Sequence, residues 1–485
     1  MRQILCICAL ALSFYGQSQI LGYNFEFDIK GSTDTVYLAN YFGKQLYYSD
    51  TAYATNGKFT FKKKREIMPG KFAVVFPGKT FFEIVINEPH IKMKSDTSDI
   101  VGNMVVESSI ENKIYYDYIQ YLNDRKQDIE PLKNLYESEE SEKKKEEIRQ
   151  QIIDIDKDVK DYQRKVVTDN KQTLIAQIIN LSTDMVVPDP PKNEDGSIDS
   201  TWQYYYYRNN FWAEDNLRNE ALVRCASYHN KLEKYLDKVL LQHPDTISYY
   251  IDQLVAKMDP KGDLFKYTVN HTINKYSKSQ IMGMDAVFVH MGLEYYKKGK
   301  AYWADEETIK KISEKATSWE PLTIGKKAPA LNLVDTTEKK VVSLYGVNAE
   351  YTILYIWAAG CGHCKKATPK LKKIYDKLKS HGVEVYAISS ELENDDWKKF
   401  VEKHDLNWIN VSDTPERPQA FRTTYDVFAT PKVYILDKDK KIIAKQIGVE
   451  QAGDILKSKL NLPDLDFGIE KSDDDHDSDD GHGHG

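Results

Sequence analysis

The sequence predicts a multidomain chain: an N-terminal antiparallel β domain, a central all-α domain and a C-terminal α/β domain. Three observations carry this. Residues 19–106 hold short β-branched and aromatic runs separated by turn signals. Residues 107–317 repeat apolar side chains at three- and four-residue spacing. Residues 318–462 alternate strand-like with helical runs, the pattern of an α/β sheet of mixed direction. A length of 485 residues suits about three domains, and 41% hydrophobic residues suffice for their cores. The net charge of -7, drawn partly from an acidic tail, argues against general nucleic-acid binding.

In chain order, residues 1–18 read as a secretory signal peptide. Arg2 supplies a positive start, Ile4 to Phe14 an apolar stretch, and Gly16-Gln17-Ser18 a small-x-small cleavage site. Cys6 and Cys8 lie inside the apolar stretch, which disfavours a lipoprotein. The expected strands of the β domain are Phe25 to Ile29, Thr35 to Ala39, Lys58 to Phe61, Lys71 to Phe76 and Phe81 to Ile86. Asn56-Gly57, Pro69-Gly70 and Pro77-Gly78 mark turns between them.

In the helical region Ile148, Ile152, Ile155, Val159, Tyr162 and Val166 form a seam. Ile114, Tyr118, Leu122, Ile129, Leu132 and Leu135 supply the facing strip of an antiparallel hairpin; a dimerising coiled coil is the alternative. Val187 to Ser197 is a loop. The aromatic run Trp202 to Trp212 reads as helix packing with hydroxyls at the surface, against the alternative of a ligand platform. His229, His243, His271 and His290 lack ligand spacing, and His290 reads as a core histidine on an apolar helix. Cys225, inside an expected helix, reads as a buried core thiol.

The chemistry is stated between Tyr351 and Lys366. Seven apolar, β-branched or aromatic residues ending at Trp357 predict a buried strand, and Leu371, Ile374, Tyr375 and Leu378 fall on one face of a following helix. Cys361 and Cys364 therefore sit at a helix N-terminus, where backbone N–H groups and the helix dipole favour a thiolate. A zinc site would need a second ligand pair, and a purely structural disulfide over so short a loop gains little. The arrangement predicts a redox-active pair, with Cys361 attacking and Cys364 resolving the mixed disulfide.

The segment Trp357 to Pro369 resembles the active-site segment of the thioredoxin superfamily, in its TlpA/ResA-like branch. Thr430-Pro431 ahead of a strand from Lys432 matches that family's cis-proline, and Gly325 to Pro329 is similar to the branch's opening motif. The resemblance covers about the last third of the chain. It implies a periplasmic or otherwise extracytoplasmic enzyme acting on protein thiols and disulfides, with electrons coming from or going to a membrane-bound thiol carrier, and with no organic cofactor and no metal. It also implies that Gly362 and His363 tune the couple, Trp357 packs beside it, and Thr430 and Pro431 hold the client. Two positions depart from the family: Tyr355 stands where a buried acid is common, and Ala367 where ResA-like proteins place a Glu. Glu391 or Glu393 offers a substitute acid, with a solvated loop carboxylate as the plainer reading. The β and helical domains resemble N-terminal regions of Bacteroidetes exported proteins. A binding or assembly protein in which those domains hold a partner stands as the competing function. The tail, residues 463–485, is Asp- and His-rich, is expected to be disordered, and at most binds divalent metal loosely.

Overall fold

The computed structural model describes residues 20–391, 394–413 and 420–469. The signal-peptide segment, Glu393 and the acidic tail from Lys471 lie outside them. The chain divides into two compact units, one of Met1–Leu241 with Tyr250–Thr268 and the other of Gln242–Tyr249 with Val269–Gly485.

The first unit opens with β1 (Ile20–Lys30), β2 (Asp34–Phe42), β3 (Gln45–Ala54), β4 (Lys58–Ile67), β5 (Gly70–Val75), β6 (Phe81–Ile86), β7 (His90–Asp96) and β8 (Val105–Ser108). They form two four-stranded sheets, ordered β4-β1-β7-β8 and β3-β2-β5-β6. Pairing is antiparallel except between β1 and β7, which run parallel. Strict alternation drives β1: Tyr23, Phe25, Phe27 and Ile29 are buried while Asn24, Glu26 and Asp28 are half-exposed. The sheets pack face to face, with Phe27 against Phe82 at 5.6 Å between ring centroids and Phe59 against Phe76 at 6.0 Å. Asn56 and Gly57, at φ 51° and 83°, make the tight hairpin turn between β3 and β4.

Helices α1 (Ile110–Ser138) and α2 (Glu142–Asp169) form the antiparallel hairpin. Tyr121 stacks on Tyr162 at 3.8 Å, and Gln163 donates to the Tyr118 hydroxyl at 2.7 Å. Two polar side chains fix the start of α1. The Asn112 amide bonds both N–H and C=O of Val85 at 2.8 Å. The Glu111 carboxylate accepts from the first N–H groups of α3 (Leu174–Ser182), where a negative charge suits the helix dipole.

Three sequence expectations change here. The aromatic run forms α4 (Trp202–Asn209), none of whose residues is buried; Tyr204 and Tyr205 stay 41% and 45% exposed with Arg208 stacked over both rings. Only Phe211 and Trp212, beyond the helix, enter the core, because the five aromatics of α4, Trp202 and Tyr204 to Tyr207, run round the helix rather than along one apolar stripe. Cys225 is a buried thiol as expected, but it is the extended residue preceding α5 (Ala226–Lys234) rather than part of a helix, and its Sγ–H donates to Leu222 O. His290 is half-buried rather than core, since its helix buries the face carrying Val287, Phe288 and Met291.

Helices α6 (Pro244–Val255) and α7 (Asp263–Ser277) contribute residues to both units. The second unit continues with α8 (Asp285–Met291) and α9 (Glu306–Trp319). Its α/β part runs β9 (Asn332–Asp335), β10 (Val341–Ser343), β11 (Tyr351–Trp357), α10 (Gly362–Leu378), β12 (Val383–Ser389), α11 (Asn394–Lys403), β13 (Ile409–Ser412), α12 (Ala420–Thr424), β14 (Lys432–Asp437), β15 (Ile442–Lys445) and α13 (Val449–Lys459). The seven strands form one sheet, ordered β10-β9-β13-β12-β11-β14-β15. The β11, β12 and β13 ladders are parallel and the rest antiparallel, the mixed sheet the sequence predicts. Central β11 is covered on both faces: Ile353, Tyr355 and Trp357 join one core, Leu354 and Ile356 the other. This is why its sequence is a continuous apolar run rather than an alternating one.

One buried ion pair ties α8 to this sheet. Lys445 on β15 pairs with Asp285, both almost wholly buried, and the lysine also donates to Leu322 O at 2.7 Å.

Candidate active site

Strand β11 ends at Trp357, and the turn through Ala358 and Gly360 delivers Cys361 as the N-cap of α10, with φ -78° and ψ 124°. The turn is closed by Cys361 N–H to Ala358 O at 3.2 Å, and the helix starts with Lys365 N–H to Cys361 O at 3.0 Å. Cys361 is half-buried and Cys364, one turn on, is buried. From the opposite side comes the loop ahead of β14, whose Thr430-Pro431 bond is cis. The Cys361 Sγ–H donates to Thr430 O at 3.2 Å. Thus β11, α10 and β14 bring Trp357, Cys361, Cys364, Thr430 and Pro431 to one place. Trp357 lies buried below, packed against Phe400 at 5.1 Å and stacked with Tyr355 at 6.3 Å. Gly362 and His363 face solvent.

The environment splits the two thiols. Burial pushes the Cys361 thiol up. Hydrogen bonds from the Cys364 backbone, the Thr430 side chain, the Cys364 side chain and the His363 backbone outweigh burial and hold it below its ordinary value. Burial pushes Cys364 up to about 12, and a thiolate at Cys361 adds to the rise. Near neutral pH the accessible sulfur is therefore the one that ionises.

Beneath the pair, the position where the family often has an acid holds a neutral hydroxyl pair. Tyr355 Oη and Thr368 Oγ1 lie 2.8 Å apart, and Thr368 donates to Cys364 O at 2.8 Å. Burial raises the Tyr355 phenol well beyond its ordinary range, so it stays neutral. Ala367 packs against the core and offers no proton.

A family model described as the AhpC/TSA family matches residues 324–445, and a domain of unknown function (DUF4369) matches residues 23–115. A thiol-disulfide oxidoreductase ResA of Bacillus cereus is 31% identical over 141 residues, which are 29% of this chain and 79% of that protein. The chain belongs to the ResA-like thiol-disulfide oxidoreductases. The sporulation thiol-disulfide oxidoreductase A of Bacillus subtilis is 26% identical over 123 residues, 25% of this chain and 72% of that protein. Among solved structures, a domain of a possible thiol-disulfide isomerase from Cytophaga hutchinsonii is 43% identical, covering 29% of this chain and 96% of its own, at a TM-score of 0.28.

In this ResA-like chain the acid expected to be a solvated loop carboxylate has a specific place. Glu391 is half-buried, and its Oε1 accepts the Gly360 N–H at 2.6 Å; its other oxygen is buried with no hydrogen-bond partner among the described residues. The reason is strand register. β11 and β12 run parallel with Trp357 beside Ser389, and Ser390 N–H reaches Trp357 O at 2.8 Å, so the segments leaving both strands meet. Glu391→Gln keeps an acceptor for Gly360 but removes the charge near Cys361. Its Cys361 is expected to alkylate about threefold faster at pH 7, the scale of a partly screened charge. Glu391→Ala loses the loop's hydrogen bond as well, so its rate should not match the Gln variant. Equal rates in wild type and Glu391→Gln would show that the carboxylate acts through geometry alone.

Proposed function

We propose that this oxidoreductase is exported and exchanges disulfides with protein clients through Cys361 and Cys364. The Cys361 thiolate attacks a client disulfide, forming a mixed disulfide and expelling one client thiolate. Cys364 then loses its proton and attacks Cys361 Sγ, which releases the second client thiolate and leaves the Cys361–Cys364 disulfide. The client gains two electrons and the enzyme loses them; a thiol carrier on the membrane, outside this chain, returns them. The observation that carries the reading is the 3.2 Å approach of Cys361 to Thr430 O, with Cys364 buried behind it. Export is supported by the charge, apolar stretch and cleavage pattern of residues 1–18. Gly362 and His363 are proposed to tune the couple and Thr430 and Pro431 to seat the client.

The test is insulin disulfide turnover with a thiol donor, comparing wild type with Cys361→Ser/Cys364→Ser. The double variant is expected to fall to the uncatalysed rate. A holding role for the β domain is the second reading, favoured by the tyrosines of the sheet-edge strand β3, where Tyr48 and Tyr53 are 71% and 74% exposed. Capture of a partner equally by wild type and the double variant, without turnover by either, would favour it.

A further inference from the structure

We infer that Phe428 is a client anchor that gives this site a preference for disulfides flanked by an apolar residue. The inference rests on the exchange reaction proposed above. Phe428 is 89% exposed, the most exposed large apolar side chain among the described residues. Isolated exposed apolar residues are ordinary, so exposure alone assigns nothing. Its setting does.

Phe428 lies two residues before Thr430, the residue whose carbonyl meets Cys361. Two residues span at most about 7 Å and residues 428–430 are bent, so Phe428 stands within one same-side repeat of an extended client strand. A client strand lying along this loop, with its cysteine at Cys361, would therefore present a neighbouring side chain at the level of Phe428.

The loop is also held at its base. Lys432 Nζ, itself largely buried, donates to the carbonyls of Tyr425 at 2.9 Å and Asp426 at 2.6 Å. The Tyr434 hydroxyl bonds the Tyr425 carbonyl as well, and Val427, next to Phe428, is buried with its N–H on Arg422 O at 2.8 Å. The backbone beneath the ring is thus fixed while the ring stays in water, so docking against it orders little further. Burying such a side chain is favourable, and this fold leaves that gain unused.

The rim beside Cys361 is open, with the Glu391 carboxylate held on the Gly360 N–H. Exposed or half-exposed Ala358, Gly360, Gly362 and Ala429 border Cys361 with little or no side chain, and a Cβ at Gly362 would meet nothing within 4 Å. The open border suits an extended backbone, and Phe428 supplies a large apolar contact beside it.

The experiment compares reduced full-length wild type, Phe428→Ala and Phe428→Leu by stopped flow. The substrates are two peptide disulfides that differ only in Leu or Ser two residues from the cysteine, plus a small aromatic disulfide without a peptide. Wild type is expected to reduce the Leu peptide about tenfold faster than the Ser peptide. Phe428→Ala should bring that ratio near one, Phe428→Leu should keep most of it, and all three should reduce the small disulfide equally. A wild-type ratio near one, or an unchanged ratio in Phe428→Ala, overturns the anchor. So does a parallel loss on the small disulfide, which would place the effect on Cys361 itself. Failure of wild type with every disulfide would overturn the underlying exchange reaction, and with it the anchor.

Discussion

Incubating Cys364→Ser with a disulfide-bonded client is expected to accumulate a covalent adduct through Cys361, while Cys361→Ser forms none and loses turnover by about 10³-fold or more, as removal of a nucleophile does. The asymmetry follows from burial: Cys361 is reachable by a client sulfur and Cys364 is not. It follows also from ionisation. Because Cys361 is held below its ordinary value, adduct formation should rise with pH and level off below the range where an unperturbed thiol, near pH 8.5, would do so. Resolution by Cys364 in the wild type should be the step that keeps accelerating above neutrality, since its thiol is raised to about 12. Capture of Cys361 as a mixed disulfide removes the neighbouring thiolate that contributes to this rise, so the resolving sulfur becomes easier to ionise once it is needed. Non-reducing electrophoresis with mass mapping of the adduct checks the assignment; an adduct through Cys364 would reverse the roles.

The second large effect is on stability. Lys445→Met leaves Asp285 charged and unpaired inside the second unit, and removing one partner of a buried pair costs about 3–5 kcal/mol. Asp285→Leu strands the lysine in the same way. The double variant replaces both charges with apolar side chains and should recover most of the loss, short of about 1 kcal/mol for the Leu322 carbonyl that the lysine also satisfies. Urea unfolding of the full-length chain, followed at the transition of this unit, gives the three values. The same pair predicts that a fragment starting at Ser318, without α8, is less stable than this domain is within the whole chain. Single variants as stable as wild type would show that the pair contributes nothing.

The active-site region was legible because its signals are local. A strand buried on both faces is a continuous apolar run, a helix start follows from the spacing behind Cys364, and Thr430-Pro431 stands out as a dipeptide. The hairpin of α1 and α2 was legible from its seam, since Ile148 and Val166 are buried where the spacing put them. Edge and short strands were not legible. β3 exposes Tyr47, Tyr48 and Tyr53, so no alternation marks it; β9 and β10 have four and three residues; and in interior β7 only Ile91 and Met93 supply apolar residues to an alternation with Lys92 and Lys94, too few to stand out. The parallel β1–β7 pairing is a contact across some sixty residues that no turn dipeptide announces. Glu391 was named only as one of two possible substitute acids, with a solvated loop carboxylate as the plainer reading, for a related reason. Its role depends on the register of β11 with β12, and aligning the residues that leave two adjacent parallel strands is the signal that would have found it. Phe428 has no sequence signature at all, because an apolar residue in a loop says nothing until its exposure and its distance along the chain from the thiol's partner are known.

The central claim, that Cys361 and Cys364 form a reversible redox couple, is tested most directly by titrating the full-length protein against defined dithiothreitol or glutathione ratios and alkylating the free thiols. The account predicts one two-electron transition between about -270 and -180 mV, the span from thioredoxin to protein disulfide isomerase. It also predicts that Cys225, buried and raised to about 11 by burial, takes no part. Two thiols that stay free at every ratio, or a disulfide that forms through Cys225 instead, would contradict it.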